Sequence, residues 1–210
     1  GRNTVLVIEA GGSDRSIFIQ MPTALSIPIN KEQFNWFFHS EPEPHMNGRS
    51  LHCPRGKVLG GSSSINGMVC IRGHAQDYDR WAHDDPGLAN WDYRHCLPYF
   101  IKSETWESGR NDYHGDSGPL HVARGRRDNP LFAAFLNATK EAGYPATEDL
   151  NGYQQEGFGP MDRTTHNGIR ESTSLSYLRP ALHRKNLTVL TRACAQRLLL
   201  DGREIRGIEY

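Results

Sequence analysis

The sequence has no surplus charge. Its 210 residues carry 24 Lys and Arg against 24 Asp and Glu, interspersed, for a formal net charge of zero. No basic face is advertised, which removes the main sequence argument for nucleic acid as a partner. Long apolar runs are missing too: none approaches the ~18 residues that a membrane-spanning helix needs. Cysteine is scarce. Cys53, Cys70, Cys96 and Cys194 lie far apart and form no C-x-x-C pair, so neither a zinc site nor a disulfide framework is signalled. Reduced thiols in an intracellular protein are the expectation. The ten histidines include no H-E-x-x-H or other close ligand pair, and no metal site is expected. Internal repeats and low-complexity tracts are absent as well.

What is plentiful is glycine, at 21 residues, and proline, at 12. With a mean hydropathy of -0.65, this composition suits a loop-rich α/β protein and argues against a helical bundle. Residues 4 to 9 read as a buried strand by length and branching. Residues 13 to 55 are broken by Pro22, Pro28, Pro42, Pro44 and Pro54, and an excursion this long usually means function. Ile65 to Ile71 is apolar and reads as buried. Helices are expected at Asp77 to Ala82 and at Tyr93 to Glu104, the second carrying Pro98. Gly118 to Ala123 reads as a strand. Asn129-Pro130 opens the clearest helix, with a capping residue followed by proline at the first helical position. Phe132, Phe135, Leu136 and Thr139 share one of its faces, and Gly143 ends it. A further helix from about Ser172 to Leu178 is expected to stop before Pro180. Leu187 to Thr191, Ala195 to Leu200 and Ile205 to Tyr210 read as strands, the last two joined by a turn at Asp201-Gly202.

Two stretches carry chemistry. VLVIEAGG, residues 5 to 12, is a β-branched run ending in an acid and then glycines. In a dinucleotide fold an acid at the end of the second strand accepts hydrogen bonds from the two hydroxyls of an adenosine ribose, and it would repel a 2′-phosphate. Read alone, Glu9 could equally be an acid that caps a turn. PRGKVLGGSSSING, residues 54 to 67, changes the balance. Gly60 and Gly61 remove the side chains that would hold a backbone away from a ligand. Consecutive N–H groups with the Ser62 and Ser63 hydroxyls beside them can cradle an anion, with Arg55 and Lys57 nearby. A Walker phosphate loop is excluded, because Gly56-Lys57 is followed by valine and lacks the earlier glycine. The GDSGP segment at 115 to 119 looks like a serine-protease nucleophile segment but lacks its second glycine and a matching histidine motif, and it reads as a turn before a strand.

Those two stretches, in that order and separation, resemble the glucose–methanol–choline (GMC) oxidoreductases, FAD enzymes that oxidise alcohols. The family signature is matched from Gly56 through Gly60, Gly61, Ser62 and Asn66 to Gly73, with one departure at Cys70. The likeness covers essentially the whole chain. FNWFFHSEPEPHMNGR, INGMVCIRGHAQDYDRW and DLNGYQQEGFGPMDRT are similar to the choline-oxidising branch in particular.

The resemblance implies an α/β fold: a partial Rossmann-like FAD-binding domain with an inserted, incomplete α+β substrate domain. The FAD-binding domain would take residues 1–124, the start of the substrate domain 125–185, and a return to the first domain 186–210. It implies that Glu9 and Ala10 face the adenosine and that Trp36 lies near the cofactor. Arg55, Gly56, Val58, Gly60, Gly61 and Ser62 would pass along the pyrophosphate and flavin. Asn66, Gly67, Met68 and Val69 would set backbone groups by the isoalloxazine ring, and Ala195 would sit near adenine. Ile65 fills the position where some relatives attach FAD through histidine, so FAD is expected to be noncovalent. The resemblance implies FAD-dependent oxidation of a small alcohol, choline above all, with another primary alcohol as substrate or a non-redox FAD-binding role (a lyase or a remnant) as the alternatives. It implies a membrane or soluble electron acceptor as partner, in the cytoplasm or peripherally on a membrane (the inner mitochondrial membrane in a eukaryote). The family's G-x-G-x-x-G turn would lie about 25 residues before the Glu9 strand, and its catalytic histidine in a C-terminal segment. Both fall outside this sequence, which is therefore expected to be an interior piece of a longer chain, to bind FAD poorly by itself, and to contain no catalytic residue.

Overall fold

A computed structural model describes residues 3–210. The chain forms two compact units, one comprising the described residues up to Gly67 together with Gly168–Tyr210, the other Met68–Asn167. These units divide the chain at 67/68 and 167/168, whereas the segments expected from the resemblance divide it at 124/125 and 185/186. The first division follows packing and the second follows expected ligand contacts, so the segment assignment stays a proposal.

In the first unit the strand Val5–Glu9 pairs in parallel with Leu187–Thr191, in register from Val5 opposite Leu187 to Glu9 opposite Thr191. Parallel neighbours require a long crossover, and the second unit lies within it. Among the described residues this sheet has only these two strands. The expectation of a wholly buried strand is corrected: Val5 and Leu6 are 45% and 47% exposed, because a two-stranded sheet covers little of the strand's beginning.

The proline-broken excursion folds into short turns, Ile17–Gln20, Pro22–Ala24 and Ser26–Ile29, and a two-residue ladder of Phe38–His39 with His52–Cys53. The unit's buried apolar cluster is Ile19, Phe34, Val58 and Ile65, with Ile29 packed against it. Loop residues thus form this core, and Val58 and Ile65 flank the glycine turn from its buried side. Near the C-terminus a π-helical turn, Ser174–Leu178, runs into a helix at Arg179–Ala181. The expected stop before Pro180 is therefore corrected. Proline falls in the first turn of the new helix, where its missing N–H is not needed. Arg197–Asp201 and Glu204–Glu209 close the chain as an antiparallel hairpin with an irregularity at Leu199/Leu200.

The second unit holds the helices Ala75–Asp84, Tyr93–Ser103 and Pro130–Glu141. Pro98 lies inside the second without ending it. Asn129 caps the third as expected, its side chain accepting from the Leu131 N–H at 2.9 Å. On the expected face Thr139 is buried and Phe132 and Leu136 half-buried, but Phe135 is exposed. The run Ile65 to Ile71 is not uniformly buried either. Met68 is buried and Val69 exposed, Cys70 is half-buried, Ile71 is exposed and Arg72 is buried. That alternation is the period of an extended strand. Val69–Cys70 pairs antiparallel with Asp162–Arg163, and Glu104–Trp106 runs parallel to Leu120–Val122.

A buried ionic network fixes this unit. Arg72 Nη2 donates to Glu104 Oε1 at 2.8 Å, and the same oxygen lies 2.7 Å from His114 Nδ1. His114 Nε2 lies 2.9 Å from Asp149 Oδ2, and the Trp106 ring stacks on the imidazole with centroids 3.9 Å apart. Burial by itself would lower the His114 pKa; the hydrogen bonds to Asp149 and Glu104 outweigh it and leave the pKa raised. A raised folded-state pKa gives stability that is fully present below the unfolded value of about 6.5 and is lost as pH rises through the folded value. The unfolding midpoint is therefore expected to fall as pH rises above about 6.5 and through the raised folded-state value. In a pH series of thermal melts, His114→Gln should remove that slope.

Candidate functional site

The end of the first strand and the glycine turn meet through their backbones. Glu9 Oε1 accepts from the Gly11 N–H at 2.7 Å, the Ala193 N–H donates to the Glu9 carbonyl at 3.0 Å, and the Arg192 N–H to the Gly11 carbonyl at 2.8 Å. Gly11 then passes so close to the second stretch that a Cβ there would stand 1.8 Å from the Lys57 carbonyl oxygen. Gly12 and Val58 form a parallel bridge, and the Leu59 N–H donates to the Gly12 carbonyl at 3.0 Å. From Val58 the chain turns at once: the Gly61 N–H donates back to the Val58 carbonyl at 2.7 Å. Gly60 and Gly61 take φ of +87° and +54°, a conformation that L side chains avoid. Gly61–Ser64 follows as a turn of 3-10 helix.

Gly56 is a glycine for a different reason, since a Cβ would lie 2.2 Å from the Gly61 carbonyl carbon and oxygen. Its N–H donates to Ser62 Oγ at 3.1 Å. The Ser63 hydroxyl is used inside the turn, donating to the Gly60 carbonyl at 2.6 Å and accepting from the Thr173 N–H at 2.9 Å. Ser63 Oγ also lies 3.1 Å from Thr173 Oγ1, so this hydroxyl ties the turn to Thr173. Ser62 is exposed.

The remaining expected residues are distributed as follows. Trp36 is 38% exposed, with the Lys57 ammonium 5.1 Å from its ring centre and its N–H donating to the Arg55 carbonyl at 2.9 Å. Arg55 is exposed and Ala10 half-buried, while Asn66, Gly67 and Ala195 are exposed. Met68 and Val69 belong to the second unit. The Met68 carbonyl accepts from the Thr164 N–H at 2.8 Å. Sequence reasoning missed Asn35. It is 2% exposed, its Oδ1 accepts from the Phe37 and Arg55 N–H groups at 3.1 and 2.9 Å, and its amide nitrogen donates to the Ile29 carbonyl at 2.7 Å. It anchors both ends of the loop that carries Trp36, and an isolated asparagine in a loop gives no sequence signal of that.

The family model described as GMC oxidoreductase matches residues 5–210. The chain belongs to the GMC oxidoreductase family. Among curated proteins it is 54% identical, over 212 residues, to the oxygen-dependent choline dehydrogenase of Vibrio vulnificus, an alignment that takes in 100% of this chain and 38% of the relative. The chain thus spans well under half the length of the curated GMC relatives it matches. Among solved structures, pyridoxine 4-oxidase from Mesorbium loti superposes with a TM-score of 0.91 at 31% identity, covering 99% of this chain and 41% of that one. An FAD-dependent oxidoreductase from Chaetomium thermophilum follows at 0.84 and 30% identity, covering 98% and 37%. The expected α/β class, a partial FAD-binding domain of GMC type, is borne out.

The residues present fit a GMC cofactor on two observations. Where a Cβ would stand at Gly12, Gly61 or Gly67, no atom lies within 4 Å. Gly12 and Gly67 do not have positive φ either, so nothing inside the chain requires glycine there, whereas a ligand lying against the backbone would. The second observation is Glu9, half-buried at the strand end. One of its carboxylate oxygens caps Gly11, and the carboxylate makes no ion pair among the described residues. Among the described residues no group of three or more His, Cys, Asp or Glu could hold a metal ion, and no helix is long and apolar enough to cross a membrane.

Proposed function

We propose that this segment holds FAD noncovalently in an enzyme that oxidises a primary alcohol, choline being the substrate the resemblance favours, with betaine aldehyde as product. The observation that carries this reading is the direct bridge between Gly12 and Val58, which joins the strand end that carries Glu9 to the glycine turn. In this reading Glu9 accepts from the ribose hydroxyls and disfavours a 2′-phosphate. The open side of the Gly60–Gly61 turn and the Ser62 hydroxyl meet the pyrophosphate, the Gly61 N–H itself being held by the Val58 carbonyl. Trp36 covers one flank, Ala10 and Ala195 border the adenine, and Asn66 and Gly67 present backbone beside the ring. Bound FAD would supply the acceptor for the two electrons and hydrogen leaving the carbinol carbon. Ile65 is 2% exposed and belongs to the buried cluster, which supports noncovalent binding.

The test is anaerobic addition of choline to the holoenzyme that carries this segment. Bleaching of the flavin absorbance, with all FAD released on acid precipitation, is expected. Bleaching by a different primary alcohol alone would move the substrate, and no bleaching by any alcohol would contradict the redox reading.

A further inference from the structure

The buried side of the glycine turn is held by a residue that neither the signature nor the proposed site includes. Arg170 is 2% exposed. Its Nε donates to the Ile19 carbonyl at 2.9 Å. Its Nη1 donates to the Asn66 carbonyl at 2.7 Å, to Asn66 Oδ1 at 2.9 Å and to the Ser63 carbonyl at 3.3 Å. Every one of these acceptors is neutral. Burial pushes the guanidinium's pKa down to about 10, and among the described residues it makes no ion pair. Nη2 is buried with no hydrogen-bond partner among the described residues.

A buried cation without a carboxylate is costly, and so is an unmade bond on it. A purely structural clamp on carbonyl oxygens could be built without that cost by a neutral donor. What distinguishes Arg170 is where the charge sits. Ser63 and Asn66 bracket the end of the Gly61–Ser64 turn, and the guanidinium grips both from behind. On the other side of that stretch of backbone the surface is open: Gly61 and Gly67 have no atom within 4 Å of a built Cβ, and Asn66 is exposed.

We propose that Arg170 is a positioning residue for the flavin: its fork locks the Ser63–Asn66 backbone and the Asn66 side chain, and its charge, bonded to neutral acceptors only, makes the open face of that turn electropositive. This rests on the FAD reading above. With the ring held against the open face, a positive charge behind that backbone would favour the reduced, more electron-rich form of the cofactor. Lysine keeps the charge but cannot reproduce the fork, so the two contributions separate.

The experiment uses the FAD-loaded holoenzyme that carries this segment, with Arg170→Met, Arg170→Lys and Asn66→Ala, and reads the FAD dissociation constant and the flavin's two-electron midpoint potential. Arg170→Met is expected to lower the equilibrium constant for reduction by about tenfold or more, a potential shift of about 30 mV or more to the negative. Arg170→Lys should keep the potential near the parent's while the FAD dissociation constant rises about tenfold. Asn66→Ala should weaken FAD binding without moving the potential. A parent-like potential in Arg170→Met overturns the electrostatic role, and parent-like FAD affinity in both Arg170→Lys and Asn66→Ala overturns the positioning role. Should Arg170→Met fail to fold, Arg170→Lys and Asn66→Ala decide: parent-like affinity in both overturns the proposal, and a loss in both with the potential kept supports it. If the parent itself holds no FAD, the cofactor reading falls and this one with it. If the parent holds FAD and the variants behave like it, only this one falls.

Discussion

Gly11→Ala is expected to destabilise the protein by about 4 kcal/mol or more, in the range reserved for changes that force backbones apart. The added methyl carbon would stand 1.8 Å from the Lys57 carbonyl oxygen, 2.2 Å from its carbon and 2.5 Å from the Val58 nitrogen. These are backbone atoms in a bridged pair of segments, so no rotamer change relieves the clash. Relief requires separating the strand end from the glycine turn, which breaks the Gly12 and Val58 bridge and the Leu59-to-Gly12 hydrogen bond. The variant should therefore lose FAD along with stability. A useful contrast is Gly12→Ala, where no atom lies within 4 Å of the new carbon. It should retain the parent's urea midpoint and lose FAD affinity, because the methyl group would fill only the space assigned to the ligand.

Glu104→Ala should be the most damaging single change in the second unit, at about 3–5 kcal/mol. Glu104 is 4% exposed, and its Oε1 serves Arg72 and His114 together. Removing it strands Arg72, which is itself buried and also donates to the Tyr113 carbonyl at 2.7 Å. It also leaves His114 with Asp149 alone. Glu104→Gln removes the counter-charge as well, but it keeps an acceptor oxygen for Arg72 and nearly the same volume, so it should cost less than the alanine variant, which leaves an unmade buried hydrogen bond and a cavity. Urea unfolding of the two variants beside the parent checks the order; an alanine variant as stable as the glutamine variant would contradict it.

The parts of the site that were legible in the sequence are those where the backbone itself makes demands. Glycines 56, 60 and 61 are required by a close approach or by positive φ, and the β-branched run ending in Glu9 pairs as an unbroken five-residue strand. The helix at Pro130–Glu141 was legible through its cap for the same local reason. What escaped depends on distant partners. Arg170 and Arg72 look like any surface arginine in one dimension, yet one reaches Ile19 and Asn66 and the other Glu104 and Asn151. Nothing near either residue announces those partners. The Ile65 to Ile71 run misled because its apolar content hid a period of two, with Val69 and Ile71 facing outward. The partners of Ser63 were not legible either, because Thr173 lies 110 residues away in sequence. Choline is a separate case, resting on similarity to relatives and on no residue pattern that physical reasoning would single out.

The central claim is that Glu9 and the Gly60-Gly61 turn serve different halves of one dinucleotide. Titrating the apoprotein of the full enzyme with FAD and with FMN tests it most directly, since FMN lacks the adenosine that Glu9 is assigned to hold. Glu9→Gln, which keeps an acceptor for the Gly11 N–H, is predicted to weaken FAD binding about 10- to 100-fold, the worth of a hydrogen bond to a charged group. It should leave FMN affinity unchanged. Equal losses for FAD and FMN, or no loss for either, would contradict the account.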